Sequence, residues 1–164
     1  MQPPDERTAL EERLDYERSL VQSRTRGIDS SGAKAYPLEA TRLSVGGIIK
    51  HLAWAEDRWF QNKLLGRPMP APWRGAPDDS QWAFVSAVDD NIDELIALYL
   101  AACNRSREAA SGLDRLDATA ALSSFGVGPV NLRWILVHMI DETAQHVGHI
   151  DLLCDALGRP APQT

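Results

Sequence analysis

The chain has 164 residues, enough for one ordinary domain with one hydrophobic core. Its 44% hydrophobic and 24% charged residues are those of a globular protein and exclude a disordered or collagen-like chain. Against 23 acidic residues stand 17 Lys and Arg, and the net charge of -6 argues against a nucleic-acid partner.

Neither end of the chain nor its middle reads as a membrane or export segment. The longest apolar run, Leu95 to Cys103, falls short of the ~20 residues a bilayer takes. The first residues are polar and acidic and lack the apolar stretch of a secretory signal. Cys103 and Cys154 are too few for a disulfide framework, so the expected setting is a reducing cytoplasm, with no membrane partner.

Four segments carry helical periodicity, and none shows the alternation of a strand. The first is expected from about Pro4 to Arg26, opened by a Thr8/Glu11 capping box and stopped at Gly27. A loop follows over residues 28–43. Ser44 is the expected N-cap of the second helix, which runs from Val45 to about Leu65 on the stripe Val45, Ile48, Leu52, Ala55, Trp59. Gly66 ends it, and a link rich in proline (Pro68, Pro70, Pro72, Pro77) crosses the surface. Its length marks it as a candidate wall of a substrate pocket.

The third helix is expected from near Ser86 to about Ser111, with Gly112 as its stop. An irregular link, residues 113–130, leads to Asn131, a good N-cap for a fourth helix reaching Leu157. Four amphipathic helices in a chain of this size predict an all-α, four-helix bundle occupying residues 1–164 as one domain.

The fourth helix carries the chemistry. Its core ladder runs Leu132, Ile135, Met139, then Ile150, Leu153, Leu157, in steps of three and four except for one gap. Glu142 and His146 are the residues that continue the ladder through the gap. An inward carboxylate without a partner costs several kcal/mol or more, so something must compensate it. Residues at i and i+4 sit about 5–6 Å apart at Cβ, close enough to share one divalent ion.

A helix pair supplies only two ligands. Three of the four histidines lie on this helix, and the fourth, His51, lies at the edge of the second helix's stripe. A His51, Glu142, His146 set would leave a coordination position open, the pattern of catalytic sites. His149 and His138 flank the pair as supporting residues: His149 beside His146, and His138 one turn before Glu142, within reach of its free oxygen. The alternative stays open: Glu142 and His146 bonding each other, or a group across the bundle, with no metal. Glu56 and Asp141 read as solvent-facing, and Cys154 as a packing residue. The third helix carries no inward carboxylates, so a two-metal centre is not expected.

IIKHLAWAEDRWF, followed far downstream by NLRWILVHMIDETAQHVGHIDLL, resembles the DinB-like (DinB/YfiT-like) superfamily of metalloenzymes, and most of all its actinobacterial branch. The resemblance covers residues 38–157. It implies an up-down-down-up bundle with a metal at one end of the core. One ligand would come from the second helix, matched by His51, and two from the last helix. The Glu-then-His variant of that last pair, matched by Glu142 and His146, is that of the similar mycothiol-dependent maleylpyruvate isomerases.

By this resemblance the cofactors are a divalent metal ion (zinc foremost, nickel or iron as the others) and a low-molecular-weight thiol such as mycothiol. The partners are a small-molecule substrate and a second copy in a homodimer. The expected activity is a metal-dependent thiol transferase or isomerase. Hydrolysis by a metal-bound water, or a metal- or ligand-binding bundle without turnover, are the alternatives.

Overall fold

The structure, a computed structural model, describes residues 3–77, 80–123 and 128–159. Helix α1 spans Glu6–Arg24 and α2 is a short turn of helix, Ser30–Lys34. Helix α3 spans Val45–Glu56 and continues without a break as a π-helix over Asp57–Leu64. Helix α4 (Ser80–Ser86) passes through a 3-10 turn, Ala87–Asp89, into α5 (Ile92–Ser111). Helix α6 spans Leu132–Ala156.

Local chemistry sets these boundaries. Ser44 caps α3 by accepting from the Gly47 amide at 3.1 Å, and Asn131 caps α6 by accepting from the Trp134 amide at 2.9 Å. At α1 the cap is Asp5 and not Thr8: the Thr8 amide itself donates to Asp5 at 3.0 Å, so the helix starts earlier in the acidic run. The loop expected over residues 28–43 contains α2, capped by Asp29. The expected start of the third helix at Ser86 is the end of α4. The long helix begins only at Ile92, where Asn91 accepts from the Asp93 amide. Positive φ at Gly66 (+67°) and Gly158 (+70°) lets the chain turn away after α3 and α6.

Cross-helix contacts fix the topology. Arg133 meets Glu6 at the starts of α6 and α1, and Arg24 meets Asp151 near their ends, so these two helices run parallel. Gly46 lies against Leu95, and Asp57 pairs with Arg105, so α3 and α5 are parallel as well. Arg7 donates to the carbonyls of Ala110 and Leu113, placing the start of α1 at the end of α5. Trp59, late in the second rod, meets Trp134, early in α6. The result is an up-down-down-up four-helix bundle, all-α and DinB-like, with no strand among the described residues.

The apolar core falls into two clusters. One holds Val45, Ile48, Leu52, Leu95, Val147, Ile150 and Leu153, and the other Leu14, Phe60, Leu64, Leu132, Ile135 and Met139. Along α6 the division falls between Met139 and Val147, at the gap in the sequence ladder. Thr143 fills part of it, wholly buried, its hydroxyl donating to the Met139 carbonyl at 2.7 Å. That leaves one turn of α6 free to present polar groups. No helix among the described residues is long and apolar enough to cross a membrane.

Candidate metal centre

Helix α3 carries His51 into this layer, and its first turn determines what covers the ring. A Cβ on Gly47 would stand 2.9 Å from the Phe84 carbonyl oxygen, so only glycine admits α4 this close. Phe84 then stacks on His51, with ring centroids 4.3 Å apart and planes 16° from parallel. The His51 Nδ1 is buried and has no hydrogen-bond partner, so the ring is oriented by this stacking and by what its Nε2 meets.

The Nε2 of His51 meets Glu142. Its N–H donates to Oε1 at 2.7 Å, and the Nε2 of His146 lies 3.4 Å from the same oxygen. One donor atom from each of the three residues lies within 4.8 Å of the others. His51 and His146 are buried, while the Glu142 side chain keeps 23% exposure at the edge of a cleft. The neighbouring His146 and His51 hold the Glu142 carboxyl well below the usual carboxylate range, overriding the opposing effect of its burial. Glu142 is therefore an anion beside two imidazoles. Two nitrogens and one carboxylate oxygen suit zinc and its neighbours in the first transition row, so the residues fit such an ion.

The other two histidines part company. The Nδ1 of His149 lies 3.3 Å from the Nδ1 of His146, close enough for one to donate to the other. Burial, helped by His146, lowers the His149 pKa, so its ring favours the neutral form that can accept. His138 instead sits in an aromatic box, stacked on Trp134 (5.1 Å, 15°) and edge-on to Trp59 (4.5 Å). Burial lowers its pKa too. No hydrogen bond joins it to Glu142 among the described residues.

A cleft of about 660 Å³ opens over the three converging residues. Its walls are the turn at residues 39–43, the α4 side chains Gln81, Phe84 and Val85, and Gln145 of α6. Contrary to the expectation from the proline-rich link's length, none of its described residues, 66–77, lines the cleft. Trp73 pins that link elsewhere, donating from Nε1 to Asp57 at 2.7 Å, where Arg105 binds the same carboxylate through two hydrogen bonds. Glu56, expected to face solvent, is fully buried and takes two hydrogen bonds from Arg18, at 2.8 and 2.6 Å. The walls of the cleft went unread in the sequence. The signal for them was the Gly46-Gly47 pair, which announces a close approach just before His51.

An up-down-down-up bundle with two histidines and a glutamate converging between α3 and α6 defines the class: a DinB-like helical protein with a candidate metal centre. A profile of the mycothiol-S-transferase family matches residues 9–157, nearly the whole chain, and the protein belongs to that family. The crystal structure of the conserved protein of locus from Enterococcus faecalis is similar in fold, with a TM-score of 0.73 at 14% identity, over 95% of this chain and 99% of that one. No curated protein sequence matches the chain.

Proposed function

We propose that the protein is a metal-dependent enzyme in which His51, Glu142 and His146 hold one divalent ion and which transfers a low-molecular-weight thiol of the mycothiol type to a small electrophile, or isomerises a substrate through such an adduct. The observation that carries this reading is the convergence of those three donors at the floor of a cleft, in a chain of the mycothiol-S-transferase family. When bound, such an ion supplies a Lewis-acid position at which a thiol loses its proton at neutral pH.

The protein's own groups do the rest. Glu142 contributes the one negative charge of the donor set and limits the net charge of a loaded site. His146, engaged through Nε2, carries its proton on Nδ1 and donates it to the Nδ1 of His149, which fixes the tautomer and tilt of the ring. Phe84 shields the His51 face from water. In the transfer the thiol sulfur gains a bond to the electrophilic carbon. The thiol proton ends on the leaving group or, in an addition, on the product. The setting is the cytoplasm, the partners are small molecules, and a homodimer is the assembly that goes with the resemblance.

One observation favours a second reading: the direct 2.7 Å contact between His51 and Glu142 satisfies the carboxylate without an ion, as a polar clasp in a bundle without turnover would. Elemental analysis of the purified protein separates the two. One equivalent of a divalent metal, lost in His146→Ala, is expected, together with turnover that requires both the metal and an added thiol. Turnover independent of thiol would indicate hydrolysis, and a folded protein with no stoichiometric metal would leave only the clasp.

A further inference from the structure

The charges around the cleft are unevenly placed. Glu39, His51, Glu142 and His146 line it, and among the lining residues the only lysine or arginine is Arg42. Its guanidinium is exposed and has neither a hydrogen bond nor an ion pair among the described residues, although Glu39 sits in the same turn. This contrasts with Arg18, Arg105, Arg107, Arg115 and Arg133, each of which holds a carboxylate.

The backbone at this position is also unusual. Arg42 has φ +51°, the left-handed region that glycine takes freely and side-chain-bearing residues rarely adopt. The turn itself is closed by its neighbours: the Thr41 amide donates to the Leu38 carbonyl at 3.1 Å, and the Thr41 hydroxyl bonds the same oxygen. The hydrogen bonds that close the turn thus come from Thr41 and not from the Arg42 side chain. What the position supplies is an unengaged planar cation at the wall of the cleft, the group best shaped for two parallel hydrogen bonds to a carboxylate.

We infer that Arg42 is an anion-binding residue that gives this cleft its preference for ligands bearing a carboxylate. The inference rests on the reading of the cleft as the substrate site, and goes beyond it by naming the charge of what enters. Glutarate and its uncharged diamide, titrated into the metal-loaded protein by calorimetry, are the probes.

Arg42→Gln is expected to weaken glutarate binding about tenfold, the worth of one charge-assisted pair, and to leave the diamide unchanged. Arg42→Lys retains part of the affinity, and added salt erodes the wild-type advantage. Arg42→Gly is expected to raise the melting temperature while lowering glutarate affinity, opposite signs that a merely structural residue would not give. Equal glutarate affinity in wild type and Arg42→Gln overturns the inference, as does an equal loss for the diamide. Repeating the titration after chelation separates the two ideas. A wild-type to variant ratio that survives in metal-free protein supports the Arg42 subsite whatever becomes of the metal reading. A ratio present only in the loaded protein supports the subsite as one shared with the ion, and equal affinities in both forms overturn it.

Discussion

The Phe84 carbonyl lies against the backbone of Gly47, leaving no room for a side chain between α4 and α3. This contact places the Phe84 ring on His51. Gly47→Ala should therefore push α4 outward, lowering stability by about 1–3 kcal/mol by overpacking and freeing the His51 ring. Chemical denaturation measures the first effect. Metal affinity, lower than that of a Val45→Ala control chosen for similar destabilisation, measures the second.

Glu142 serves as the shared partner of His51 and His146, so its charge should matter more than its shape. Glu142→Gln keeps the volume and the chance of hydrogen bonds but removes the anion. Metal affinity is expected to fall by two orders of magnitude or so, with little change in helical content. His149→Ala should weaken it less, about tenfold, because His146 loses its positioning partner but keeps its place. Competition against a metallochromic chelator gives both constants.

The buried Arg18–Glu56 pair predicts a large asymmetry between single and double replacements. Arg18→Met leaves the fully buried Glu56 carboxyl without its ion-pair partner and should cost about 3–5 kcal/mol. Arg18→Met with Glu56→Leu should recover much of that. Urea titration of the three proteins tests this. The same environment bears on Cys103, whose thiol is pushed up first by burial and then by Glu56. Alkylating reagents should leave it untouched until the protein unfolds.

His138 gives the stability curve a definite slope on the acid side. Burial between Trp59 and Trp134 lowers its pKa below the 6.5 of an exposed histidine. As pH falls below 6.5 the unfolded chain takes up the proton first, so stability declines through the window down to the lowered folded value. Equilibrium unfolding of His138→Gln should show a flatter profile there. Tryptophan emission of the native wild type should change over the same window as the box becomes charged.

The bodies of the long helices and the Glu142–His146 pair were legible because their signals are local, whereas His51, 91 positions from Glu142, stood out only as the one histidine outside α6. A stripe repeating every three or four residues, Ser44 and Asn131 before it, and a carboxylate and imidazole interrupting it can all be read within one turn or a few. The rest depended on distant partners. Glu56 reads as a surface residue because Arg18, which makes its burial tolerable, is 38 positions away. The π-helix after Glu56 has no distinguishing pattern, and the short α4 merges with the helix that follows it. The proline-rich link showed its irregularity but not its destination, which Trp73 and Asp57 decide.

The bundle is a pairing of pairs: α3 with α5 from the middle of the sequence, and α1 with α6 from its two ends. His51 belongs to the first and Glu142 and His146 to the second, so the candidate metal centre straddles the seam between them. A cation gripped by all three would act as a rivet, its release coupled to the parting of the halves. At a hundred times its dissociation constant a free ion adds about 2.7 kcal/mol to the unfolding free energy. Chelation should then loosen the chain's ends from its middle, and the melting point of the loaded protein should follow how much metal the medium offers.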